Sequence, residues 1–284
     1  MLAAFATPWP GSVPINNDAT GTSIATITRN AAIGELTSSI DAGPTAVWDD
    51  ATTLMVTLYS GHLASADEDA VLSGGNRLAV QNDAGEWEVV GFVNANLTAP
   101  STYALTRLLR GQGGTVHAIG PAAAGNRVIV LDDTIIADPV TIDWLGETLA
   151  LRAYAGRADP TGTSLSAIID LPPDLPLAPV HLSAIRDPVT GNIAFAWVRC
   201  SRADTDSWTL IEAPLDYSPE AYSVTVFNGL TAVRTITASA PAAAYAAADQ
   251  TADFGSPPTS FTFTVAQVSP ILGPGLAAEG DFHA

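Results

Sequence analysis

With 284 residues and 47% hydrophobic content, the chain is long enough for two ordinary domains, each burying its own core. A single cysteine, Cys200, excludes an internal disulfide, and 29 acidic residues against 11 basic ones give a formal net charge of -18. Every basic residue is arginine, so Schiff-base chemistry and a lysine-bearing phosphate loop are excluded, and the charge argues against nucleic acid or anionic lipid as partner.

No apolar run approaches the roughly 20 residues that span a bilayer, and the N-terminus lacks the charged-then-apolar order of a signal peptide, so a soluble chain without a membrane span is expected. Only 14% of residues are charged. The surface must then be rich in Thr, Ser, Ala, Asn and Gly, which suits packing against neighbours in an assembly.

The dominant pattern is short alternation of β-branched or aromatic residues with polar ones, broken every few residues by Gly, Pro, Asn or Asp. It predicts strands over 22–29 (TSIATITR), 52–59 (TTLMVTLY), 76–81, 86–93 (EWEVVGFV) and 127–131 (RVIVL). Helical periodicity is almost absent. Ser73, Gly74, Gly75 and Asn76, and again Asn82, Asp83, Ala84 and Gly85, tolerate positive φ and predict hairpin turns, the second joining LAVQ to EWEVV.

A proline-rich stretch at 171–179 (LPPDLPLAP) cannot continue a sheet or a helix and reads as a stiff linker. The expected organisation is a β-rich packing domain over 1–172, a linker over 173–179 and a sandwich over 180–284. In the last region six strands are predicted, at 180–186, 193–199, 207–212, 222–227, 232–238 and 260–268, a run of short strands like that of a fibronectin type III or immunoglobulin-like sandwich. Trp197 is its expected core plug. The alanine-rich run 240–248 is either one helical turn or a loop, since alanine favours a helix while Pro241 and the short length oppose it. The fold class is therefore mostly β, an irregular antiparallel β domain followed by a β-sandwich.

The segment Arg110, Gly111, Gln112, Gly113, Gly114, Thr115 places an arginine before a glycine-rich turn. Its guanidinium can hold a sharp bend by bonding carbonyls or a carboxylate across the turn, while the glycines allow positive φ and close backbone approach. Paired carboxylates at Asp49 and Asp50, at Asp67, Glu68 and Asp69, and at Asp132 and Asp133 raise a glycosidase. That mechanism needs two carboxyls facing one another across a cleft, whereas neighbours on a strand point to opposite faces, so solvated loops are the preferred reading. Asp67 to Asp69, and Asp204, Asp206 and Ser207, offer oxygens to calcium without the glycine and glutamate of a full loop. The histidines, His62, His117, His181 and His283, lack zinc spacing. No cofactor, metal site or catalytic residue is expected. Cys200 beside Arg199 could have a lowered thiol pKa, though a small core residue is the commoner role. Trp9, Trp48, Trp87 and Trp144 could form a sugar-binding face, but the alternation around Trp87 groups it with apolar neighbours in a core.

The run from Tyr103 to Thr115 (YALTRLLRGQGGT) resembles a signature in the C-terminal region of the large baseplate protein, called the megatron or host-specificity protein, of alphaproteobacterial gene transfer agents and related siphophages. The second half is similar to the terminal sandwich of that family, at Pro179 to Leu182, Trp197 and Arg199, Arg202, Asp206 and Trp208, Ala213 to Leu215, Glu220 and Tyr222, and Val265 to Ser269. Arg110, Gly111, Gly113, Gly114, Thr115, Trp197 and Trp208 are the structural-motif residues carried over. Cys200 departs from the family, which tends to have a second basic residue there. No peptidase or TIM-barrel region precedes the match, so a separately encoded component or a C-terminal piece of a longer polypeptide is expected. The resemblance implies a structural, non-enzymatic virion protein at the distal end of the tail, a homo-trimer packing against the hub, distal tail protein and tail fibres. The alternative is a carbohydrate-binding receptor module recognising a cell-surface glycan.

Overall fold

The computed structural model describes residues 1–137, 144, 146–156, 158–168, 175–202 and 212–284. The chain divides into two compact units, Met1–Pro173 and Asp174–Ala284.

The first unit contains β1 (Val13–Asn17), β2 (Ser23–Ile27), β3 (Ile33–Leu36), β4 (Leu54–Leu58), the short helix α1 (Glu68–Leu72), β5 (Arg77–Gln81), β6 (Trp87–Ala99), β7 (Thr102–Gln112), β8 (Arg127–Val130), β9 (Thr148–Ala153) and β10 (Thr163–Ile168). Six of them close into an antiparallel barrel in the order β3-β4-β7-β6-β5-β8, and the other four form a sheet in the order β10-β9-β1-β2. The alternation seen in the sequence becomes the inside and outside of the barrel. In β4, Leu54, Val56 and Leu58 are buried with Leu78, Val80, Val90, Phe92, Leu105, Leu108 and Val128, while Met55 and Thr57 stay partly exposed. The four-stranded sheet has a smaller core of Val13, Ile15, Ile27 and Leu151.

The turn at residues 82–85 joins β5 to β6, with Asn82 N–H donating to the Glu86 carbonyl and Gly85 at φ +88°. The Ser73 to Asn76 turn differs from expectation. It ends α1 and leads into β5, so it links a helix to a strand and makes no hairpin. A five-residue helix is too short to show a 3.6-residue period, and its acidic first turn, Glu68 and Asp69, suits the positive end of the helix dipole.

The second unit contains β11 (Val180–Arg186), β12 (Ile193–Val198), β13 (Tyr222–Asn228), β14 (Thr231–Ala238), β15 (Ala242–Tyr245), the helix α2 (Ala247–Phe254), β16 (Ser260–Ser269) and β17 (Gly273–His283). A three-stranded sheet, β11-β12-β15, faces a four-stranded sheet, β14-β13-β16-β17. Ile193, Phe195 and Trp197 alternate inward from β12 and meet Tyr222, Val224, Val226, Phe261, Phe263, Val265 and Phe282 from the other sheet. Three strands packed on four, with aromatic side chains between, make this unit a fibronectin type III/immunoglobulin-like sandwich, and the chain as a whole is mostly β.

The alanine-rich run corrects its expectation: Ala242–Tyr245 is a strand and the helix starts at Ala247. Pairing of β15 with β12, Ile193 opposite Tyr245, and burial of Tyr245 override alanine's weak strand preference. Gly255, at φ +78°, ends α2. Residues 175–179, expected as a stiff linker, are pinned to the sandwich. The Pro176 carbonyl accepts from Leu276 N–H at 3.0 Å, the Leu175 carbonyl accepts from Arg202 at 2.6 Å, and Ala178 is buried. The rest of the proline-rich stretch, 171–174, lies outside the described residues. So does 207–211 of the strand expected at 207–212.

Candidate functional site

The arginine-glycine segment lies where β6 and β7 lose their regular register. Gly91 stands opposite Leu109 and Val89 opposite Gln112, so Arg110 and Gly111 together oppose Val90 alone. This is a β-bulge, which bends its strand and re-aims a side chain. Gly111 holds φ +64°, and a methyl group there would lie 2.8 Å from Ile119 Cδ1 and 3.0 Å from Val116 Cα. Glycine is therefore required on two grounds, conformation and space. Gly113 and Gly114 follow at φ +63° and +82° and carry the chain through the turn.

Arg110 follows the core residue Leu108 by two positions and keeps its inward direction. Its side chain is fully buried, and Glu88 on β6 is almost so. The pair is bidentate, with Arg110 Nε donating to Glu88 Oε1 at 2.6 Å and Nη2 to Oε2 at 2.7 Å. Gly111 N–H adds a third bond to Glu88 Oε1 at 3.1 Å, and Arg110 Nη1 reaches the Asp41 carbonyl at 3.3 Å. A second buried carboxylate, Asp49, brings Oδ2 to 3.6 Å from Nη1. Its Oδ1 accepts from the N–H groups of Ala51 and Thr52. Burial pushes the Asp49 carboxyl up, but the Thr52 side chain, the N–H groups of Thr52 and Ala51, and the Arg110 charge together hold it below the usual aspartate value. Gly43 leaves room for this cluster, since a methyl there would sit 2.6 Å from Arg110 Nη1 and 2.8 Å from Asp49 Oδ2.

Thr115 closes the turn. Its hydroxyl accepts from Val89 N–H at 2.9 Å and donates to the Gln112 carbonyl at 2.8 Å. The segment from Arg110 to Thr115 is thus tied to β6 at two successive residues, Glu88 and Val89. Both Glu88 oxygens are engaged by the Arg110 guanidinium, and one of them also by Gly111 N–H. Chemically, the arrangement is a charge-locked clamp between β6, β7 and the loop carrying Asp41 and Asp49.

Two of its members, Glu88 and Asp49, went unrecognised in the sequence. Asp49 is buried, which corrects its reading as a solvated loop residue, because its backbone pairs with Leu108 and carries it beneath the bulge. Asp50 remains exposed and bonds Arg107, whose guanidinium also holds Glu68 and lies 4.8 Å from the Trp48 ring centre. Glu88 was detectable in principle. It shares the inward parity of Val90 and Phe92, and a charged residue in that position demands a buried partner.

The same parity moves Trp87 out of the barrel core, where the alternation had grouped it. It is half-buried on the outer face and lines an apolar cavity of about 420 Å³ with Leu2, Val89, Thr115, Ile129 and Leu131. Trp9, Trp48 and Trp144 are also only half-exposed.

In the sandwich, Trp197 is buried in a T-shaped contact with Tyr222, ring centres 5.0 Å apart. Tyr222 donates to Glu220, which also pairs with Arg199. The Cys200 thiol is pushed up by burial and by the nearby Asp216 charge, against the lowering considered from its position next to Arg199. Trp208 and the candidate calcium ligands Asp204, Asp206 and Ser207 lie outside the described residues. Among the described residues no group of three or more His, Cys, Asp or Glu side chains is placed to hold a metal ion, and no helix is long and apolar enough to cross a membrane.

Residues 31–129, roughly a third of the chain, match the family described as Rcc01698-like, C-terminal. That span takes in β3 to β7, most of β8, and every residue of the clamp. No curated protein matches the chain. Among solved structures, the extracellular region of rat CD45, domains d3-d4, is similar at 12% identity over 54% of this chain and 72% of that one, with a TM-score of 0.27.

Proposed function

We propose that the chain is a non-enzymatic structural component of the distal tail, at the baseplate or tail tip, of a tailed phage or gene transfer agent. The observation that carries this reading is the match of the barrel to the Rcc01698-like C-terminal family, which is associated with a gene-transfer-agent-related protein of Rhodobacter. The site supports it. The buried charges that sequence patterning would offer to catalysis are locked into a clamp that fixes the barrel's bulge and turn. On this reading the protein works as a rigid part fitted among copies of itself, as a homo-trimer, and among the hub, distal tail protein and fibres.

Recognition of a cell-surface glycan, the competing reading, calls for an exposed aromatic platform. The described tryptophans of the first unit are half-buried, and Trp48 lies beneath the Arg107 guanidinium.

The test is to purify assembled particles from the producing cells and to locate the chain by mass spectrometry and by gold-labelled antibody under the electron microscope. Label at the tail's distal end, at a stoichiometry divisible by three, is expected. Abundant free chain in the cells with none in purified particles would remove the assignment.

A further inference from the structure

β10 is the one strand of the first unit whose six residues are all exposed, Leu165 and Ile168 among them at 48% and 65%. It stands at the end of its sheet and, among the described residues, pairs only with β9. Half of its N–H and C=O groups therefore point away from the sheet, because successive residues of a strand direct theirs to opposite sides.

Exposed edges of this kind are normally guarded by charge, proline, a bulge or shortness. The sandwich follows that rule at each of its edges. β11 carries His181 at φ +52° within a register shift, β14 carries Arg234, β15 has four residues, and β17 carries Pro274, Glu279 and Asp281. β10, with the sequence TSLSAI, has no charge, no proline and no glycine, and its pairing with β9 runs without a shift. An unguarded edge persists in a soluble chain when something is meant to pair with it.

We propose that β10 is a docking edge that receives an extended, positively flanked strand from a neighbouring protein. Charge decides between that occupant and a second copy of this chain. The first unit holds 18 acidic residues against 7 arginines, and Arg29, Arg107, Arg110 and Arg152 are already engaged by its own carboxylates. Two such units meeting edge to edge would repel each other, whereas a strand with basic flanks would be attracted. The neutral edge supplies the main-chain hydrogen bonds and the acidic balance of the unit supplies the preference. This inference rests on the assembly reading given above.

The experiment uses the full chain and a fluorescent probe peptide of six alternating Thr and Val residues with two lysines at each end. Binding is read by anisotropy and its location by hydrogen-deuterium exchange. Protection confined to 163–168 is expected, and it disappears with a probe N-methylated at alternate residues. Proline is then placed separately at Ser164 and Leu165; one of these two N–H groups faces outward. That variant, with β9 exchange unchanged, should weaken the probe by about tenfold or more, equivalent to the loss of roughly 1.4 kcal/mol. Protection elsewhere, or equal binding of a probe flanked by glutamates, overturns the proposal. So does concentration-dependent dimerisation of the chain with β10 protected, which would identify a second copy as the occupant. If particles contain the chain but leave β10 freely exchanging, the edge proposal fails while the assembly reading stands. A chain absent from particles sinks the assembly reading independently of the probe.

Discussion

Replacing Glu88 with glutamine tests the clamp most directly. The substitution keeps shape and one acceptor oxygen but leaves the fully buried Arg110 guanidinium without its bidentate partner, and it weakens the bond from Gly111 N–H. Breaking a buried ion pair from one side costs about 3–5 kcal/mol, chiefly because the surviving charge is stranded. Here the lower end, ~3 kcal/mol, is expected, since Asp49 Oδ2 lies only 3.6 Å from Arg110 Nη1 and can close on it. Arg110→Met should cost more, ~5 kcal/mol, because it leaves two buried carboxylates of like sign with no cation between them. Its loss should shrink as pH falls, since protonating either carboxylate relieves the repulsion. The double change, Glu88→Leu with Arg110→Met, should cost less than Glu88→Leu and Arg110→Met measured singly and added together, with a coupling of at least ~2 kcal/mol. Guanidinium denaturation of the full chain gives the magnitudes, and hydrogen exchange across β6 and β7 localises them to the barrel. A Glu88→Gln loss below about 1 kcal/mol, or strict additivity in the double variant, would refute the reasoning.

Glycine-to-alanine changes in the bulge should separate conformation from crowding. Gly113→Ala, with open space around it at φ +63°, should cost about 1–2 kcal/mol, and Gly111→Ala a further ~1–3 kcal/mol for its collision with Ile119 and Val116, read as shifts in denaturation midpoint. Trp197→Ala should remove about 3–5 kcal/mol from the sandwich, so that exchange accelerates across β11 to β17 while β3 to β8 keep their protection. Asp159 accepts from the N–H groups of Ala155, Gly162 and Thr161, which hold its carboxyl down at about 2. Because the folded value lies below the ordinary 3.8, its contribution is complete above that pH and is lost as pH falls towards 2. A carboxyl NMR titration of Asp159 with its midpoint near 2, moved to about 4 on unfolding, is the expected result.

Legibility followed the length of the local signal. Strands β4, β12 and β13 announce themselves because one side chain in two is buried, and the N-D-A-G hairpin sequence at 82–85 because its turn chemistry is local. β17 was invisible. Its sequence GPGLAAEGDFH has glycine and proline where a strand signal would stand, and pairing with β16 together with burial of Phe282 holds it in place. Barrel closure was equally hidden, since β3 pairs with β8 across some ninety residues and no window of sequence encodes that meeting. The clamp was half legible. Arginine before three glycines marked the bulge, but its partner sits 22 residues earlier on another strand, flagged only by a charge in a core register.

The placement of the arginines bears on how such a chain meets its neighbours. Of the ten arginines among the described residues, six are ion-paired to carboxylates of their own unit: Arg29, Arg107, Arg110, Arg152, Arg199 and Arg234. The cations are thus spent on internal geometry, and the excess of carboxylates that makes up the -18 charge is left to the surface. A predominantly acidic surface discourages self-association at random orientations and lets a neutral edge or a basic partner dictate the approach. On the proposed assembly reading, a part fitted in one orientation among neighbouring proteins gains from that discrimination, and its association should weaken with added salt where the partner is basic.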